Sequence, residues 1–101
     1  MLRALDPAES PASDAYRVPW HVDRDDPAHP LIVNESPDAL TYVRIHVADG
    51  DHAPDRESWG RMGPGESREL CLCGCDLDDT TVTITWFRAD GELEWAWAFV
   101  L

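Results

Sequence analysis

From residue 20 onward, apolar residues come in short runs separated by clusters of Pro, Gly, Asn, Asp and Ser. Within the longer runs they alternate with polar residues at a period of two, the repeat of a strand buried on one face. Leu40–Ala48 sets Val43, Ile45 and Val47 on one side and Tyr42, Arg44 and His46 on the other. Thr80–Arg88 sets Val82, Ile84 and Trp86 against Thr81, Thr83 and Thr85. Leu93–Val100 sets Leu93, Trp95, Trp97 and Phe99 against Glu94, Ala96 and Ala98. Asp90-Gly91 between the last two predicts a hairpin. Shorter strands are expected at Trp20–Val22, at Leu31–Val33 and over Ser58–Met62 around Trp59. A longer one is expected over Glu66–Cys75, entered from the turn Gly63-Pro64-Gly65 and left through the acidic turn Asp76–Asp79.

About seven short strands at such spacing, with no helical period of useful length, predict an all-β antiparallel β-sandwich. The expected inward set is Leu31, Val33, Val43, Ile45, Val47, Leu70, Leu72, Val82, Ile84, Trp86, Trp95, Trp97 and Phe99. These would interdigitate between two sheets about 10 Å apart. Residues 1–19 carry no such period and are punctuated by Pro7, Pro11 and Pro19. They read as a flexible N-terminal arm ahead of a sandwich domain over 20–101.

Three segments add a resemblance. Val33-Asn34-Glu35-Ser36-Pro37-Asp38-Ala39-Leu40, Gly63-Pro64-Gly65-Glu66, and Trp86-Phe87-Arg88-Ala89-Asp90-Gly91 followed by Trp95 resemble the turns of immunoglobulin-like accessory domains. The resemblance implies an immunoglobulin-like sandwich used for binding or spacing, and it supplies no catalytic residue. The Cys-rich segment and the Trp-rich last strand depart from it. So does the lack of an inter-sheet disulfide, since Cys71, Cys73 and Cys75 all fall in one segment.

The chain is 101 residues long with 44% hydrophobic residues, enough for one core. Twenty acids face eight bases, a net charge of −12, and every base is Arg. Such a charge repels nucleic-acid phosphates and anionic membrane surfaces, so neither is expected as a partner. It favours solubility and a basic partner. The opening Met1–Pro7 has no apolar run of signal-peptide length, and no stretch approaches a membrane span. Three closely spaced Cys are no secreted disulfide framework, and a cytoplasmic location is expected.

Candidate chemistry is sparse. Cys71, Cys73 and Cys75 would line one strand face about 6.5–7 Å apart. They are either packing residues or soft-metal ligands. Zinc would need a fourth ligand from His21, His29, His46 or His52, and copper(I) fewer. His46 completes the candidate metal set. His46 to His52 with Asp49 and Asp51, and Asp76–Asp79, are partial oxygen clusters short of a calcium site. No Gly-x-Ser-x-Gly elbow is present, and Cys71, Cys73 or Cys75 could form a Cys–His pair with His46 only if their strands are neighbours, so no catalysis and no cofactor are expected. Trp20 and Trp59 lie in short segments and are candidate surface anchors or plugs of the sandwich ends.

Three functions fit this reading. The first is a non-catalytic accessory module binding another protein or itself, as a homodimer through an edge strand. The second is an acidic inhibitor or immunity-type protein that neutralises a basic partner. The third is a thiol-based metal-binding protein.

Overall fold

A computed structural model describes residues 2–4, 17–49, 55–88 and 91–101. The strands are β1 (Leu2–Ala4), β2 (Trp20–Asp23), β3 (Leu31–Asn34), β4 (Leu40–Asp49), β5 (Asp55–Met62), β6 (Ser67–Glu69), β7 (Thr80–Arg88) and β8 (Glu94–Val100). They form two antiparallel sheets, in the orders β1-β8-β7-β4-β5 and β2-β3-β6. The protein is therefore an all-β sandwich, as the period-two runs predict. Part of the segment read as an arm, Leu2–Ala4, pairs with β8. The rest of it up to residue 16, and Ala89-Asp90 of the expected hairpin, lie outside the described residues.

β4 and β7 form the centre of the larger sheet, in register from Arg44↔Thr85 to Asp49↔Thr80. Their apolar sets Val43, Ile45 and Val47, and Val82, Ile84 and Trp86, are all buried. Thr81 and Thr83 face outward and are half-buried. β4 bulges at Tyr42, which has φ +51° and an exposed ring set edge-on to Phe87, 5.7 Å between centroids. Trp86 is fully buried, and the Trp20 ring from the other sheet meets it at 5.6 Å and 89°. This edge-to-face contact joins the two layers across the core.

The smaller sheet corrects one expectation. Ile32 and Asn34, not Leu31 and Val33, face the core, and the latter pair is half-buried. Asn34 fixes this phase. Its amide donates to the carbonyls of Asp38 (2.8 Å), Met62 (3.1 Å) and Gly63 (3.2 Å). Its Oδ1 accepts from the N–H and hydroxyl of Ser36. A buried amide is tolerated when so fully bonded. The Asn34 backbone also bonds the Gly63–Glu66 turn, through Asn34 N–H to Glu66 O and Gly65 N–H to Asn34 O. In that turn Gly65 holds φ +78°, as the residue after the Pro of a type II turn must. Trp97 is the remaining departure in the inward set. It is half-buried, stacked at 5.1 Å on Phe99 at the margin of the core.

The expected strand Glu66–Cys75 ends at Glu69. Its alternation survives, since Leu70 and Leu72 are buried while Cys71 and Cys73 are exposed. Its ladder does not survive. Leu70 N–H donates to Pro30 O and Leu72 N–H to Ala28 O. Pro30 has no N–H to return the bond, and the Ala28 N–H is taken by Asp26 Oδ1 at 3.2 Å. The chain then turns at Leu72–Cys75, closed by Cys75 N–H to Leu72 O, with Gly74 at φ +89°.

Candidate metal centre

The half-made ladder brings the site together. In the pairing of β3 with β6, partner numbers sum to one hundred, as in Leu31↔Glu69 (31 + 69). The bonds Leu70 to Pro30 and Leu72 to Ala28 keep that sum (70 + 30, 72 + 28). His29 therefore lies opposite Cys71 (29 + 71), on the outward face opposite to Leu70 and Leu72. Its ring reaches both thiols. Nε2 lies 3.0 Å from Cys73 Sγ. One ring nitrogen of His29 and the two sulfurs of Cys71 and Cys73 all lie within 4.8 Å of one another.

The far side of the ring is fixed too. His29 Nδ1 is 3.0 Å from Asp26 Oδ2, and the His29 N–H bonds Asp26 O in the turn Asp26–His29. The pairing leaves Nε2 to face the thiols. The hydrogen bond from the Asp26 side chain raises the His29 pKa above 6.5, with the Asp26 charge and Cys71 acting in the same direction. Cys71 is lowered below the ordinary thiol value, first by the Cys73 backbone N–H, then by the Cys73 side chain, with His29 helping. Cys73 is raised, first because it hydrogen-bonds Cys71. The Cys71 sulfur thus ionises more readily than an ordinary thiol, beside the Cys73 thiol, a backbone N–H and an imidazole.

Two chemistries could use this arrangement. Asp26, His29 and Cys73 form a carboxylate–imidazole–thiol chain of the kind that activates nucleophiles. That chain leaves out Cys71, whose sulfur also lies within 4.8 Å of the imidazole nitrogen. A single soft cation suits the set better. Two sulfurs and one imidazole nitrogen converge on one point, and ligand atoms around zinc at bonds of about 2.0–2.3 Å fall within such separations. Asp26 behind His29 is the carboxylate that commonly orients a ligating imidazole.

The candidates named from sequence separate here. Cys71 and Cys73 are brought together. Cys75 is set apart, half-buried and packed against the core past the Gly74 turn. His46 is not the histidine of this cluster. It is half-buried on the outer face of β4, opposite Thr83 and Arg56. His29 takes that place, and only the register between distant segments could have singled it out from the four histidines. Asp51 and His52 lie outside the described residues. Asp76 and Asp49 are engaged elsewhere. The Asp76 side chain accepts from Asp78 N–H, and Asp49 Oδ2 accepts from Asp76 N–H at 3.2 Å. Trp20 and Trp59, the candidate surface anchors, are both buried in the core.

A cleft of about 210 Å³ opens beside the thiol loop, between Cys71–Cys75 and the β4–β5 residues Ile45, Val47, Asp49, Arg56 and Glu57. Among the described residues, no helix is long and apolar enough to cross a membrane. Comparison with known proteins returns no match, whether to family models, curated proteins or solved structures.

Proposed function

We propose that this protein is a non-catalytic β-sandwich module that binds a thiophilic d10 ion, zinc(II) or copper(I), through His29, Cys71 and Cys73. The observation that carries the reading is the convergence of the three ligand atoms within 4.8 Å, with Asp26 bonded behind the imidazole. Soft thiolate and imidazole donors select such ions. Three protein ligands leave a position open, so the ion is exchangeable rather than a closed structural plug. A reducing, cytoplasmic compartment belongs to the reading, because none of the three thiols is in a disulfide.

An immunoglobulin-like connectivity is part of the same proposal. Strands β2, β3 and β6 on one sheet, facing β5, β4, β7 and β8 on the other, support it. Immunoglobulin-type sandwiches divide their first, second and fifth strands from their third, sixth and seventh in this way, whereas the constant type places its fourth strand with the first group and β5 here joins β4.

The test is titration of the reduced protein with zinc and with copper(I), read by native mass spectrometry. One ion per chain is expected, with affinity falling at least about 10–100-fold in Cys71→Ser, Cys73→Ser or His29→Ala. Cys75→Ser and His46→Ala should bind as the parent does. Absence of stoichiometric binding, or parental affinity in Cys71→Ser and Cys73→Ser, refutes the proposal.

A further inference from the structure

The outer face of the larger sheet differs in charge from the rest of the molecule. Cross-strand partners share a face. Arg44 pairs with Ser58 and His46 with Arg56, opposite to the buried Val43, Ile45 and Val47. Arg44, Arg56 and Ser58 are exposed. Arg61 is also exposed and alternates with the buried Met62, so it points the same way. The exposed Tyr42 and the half-buried Thr83 complete the surface. Three of the chain's eight arginines and one of its four histidines thus stand together, in a protein of net charge −12. Among the described residues Arg44, Arg56 and Arg61 make no ion pair, although the Arg61 guanidinium lies against Gly63, where the Glu66 carboxylate also reaches, and Glu94 stands further off on β8. Glu57 pairs with Ile45 and turns to the other side.

This face ends at a sheet edge. β5 has β4 on one side and no described strand on the other. An edge strand offers unpaired N–H and C=O groups to any extended chain, and proteins usually blunt it with charge or proline. On the outer face the charge that β5 carries is positive, from Arg56 and Arg61, while Glu57 is exposed on the other side of the same strand. The positive charge deters a basic strand and favours an acidic one.

We propose that the β5 edge and the Arg44–Arg56–Arg61 face dock an extended acidic segment of a partner protein by strand addition. Backbone hydrogen bonds to β5 would supply the pairing. Acidic side chains at every second position of the added strand would lie beside Arg56 and Arg61, with Arg44 one strand further in. The net charge of the chain does not forbid this. At physiological salt, charges beyond about 8 Å are largely screened, and the local arginines decide the contact.

The probe is a fluorescent eight-residue peptide alternating Glu and Thr, titrated by anisotropy, with a Lys/Thr peptide and an N-methylated Glu/Thr peptide as controls. The Glu/Thr peptide should bind saturably and the Lys/Thr peptide should not. Arg44→Glu with Arg56→Glu should weaken binding by roughly tenfold, with an unchanged circular dichroism spectrum. Loss of binding on N-methylation marks pairing with the edge. Equal binding of both peptides, no binding, or retention of affinity in the double variant overturns the proposal. So does preferential binding of a single-stranded oligonucleotide of matched charge, or sedimentation showing that the face is closed by a second copy. Cys71→Ser with Cys73→Ser should bind the peptide as the parent does, which separates this surface from the metal centre.

Discussion

Asp26 and His29 are close in sequence and exposed enough that their ion pair adds little to stability. What the contact changes is the proton balance of the ring. A raised His29 pKa means that the charged pair contributes fully below the ordinary histidine value and is lost as pH rises through the folded-state value. Asp26→Asn removes the largest cause of the shift. The His29 midpoint in the metal-free protein should therefore fall, as read from imidazole chemical shifts in an NMR pH titration. A midpoint unmoved by the substitution would show that Asp26 does not govern the ring. The histidines illustrate what a sequence can carry at this scale. His29 sits in a proline-punctuated stretch and His46 in an alternating strand, and only a pairing between segments some forty residues apart shows which of them meets the thiols.

At the scale of the element, β4, β7 and β8 were legible because polar residues interleave their apolar ones and fix the phase. Leu31-Ile32-Val33 has no such marker, since three consecutive apolar residues fit either face. The phase is set by the residue after them, where Asn34 turns inward to tie β3 to the Gly63–Glu66 turn and to Asp38. Asn34→Ala strips the donor from three carbonyls and should cost about 2–3 kcal/mol in urea unfolding. A loss under about 0.5 kcal/mol, the range of ordinary surface changes, would mean that the bracket is not structural. The end of β6 was illegible for a related reason. Leu70–Cys75 looks like more of the same strand, and what stops the ladder is a proline on its neighbour.

For the whole molecule, the charge of −12 and the apolar core act against each other. The core, centred on Trp86 and Trp20, holds together a surface that repels itself. Sodium chloride should raise the melting temperature between about 0.01 and 0.3 M, as the screening length shrinks from about 30 Å to well below 10 Å. A melting temperature that falls with salt would put local ion pairs ahead of net repulsion. The arrangement of charge also explains how one chain can be acidic in sum and still gather arginines on one sheet face. Composition reported the sum, while the distribution depended on which strand face each residue took.

The missing N–H of Pro30 has a consequence best seen by imagining it restored. A residue with an amide there could return the bond to Leu70, and the exchange opposite Cys71 would be complete on one side, while the Ala28 N–H would stay with Asp26. A flat, fully paired ribbon spaces the backbone of alternate residues by about 6.5–7 Å along one side and holds it there with a bond at every rung. An imino acid on one segment thus leaves the other with half its backbone groups unreturned, and the exposed sulfurs of Cys71 and Cys73 sit on that half-tethered stretch rather than on a finished sheet.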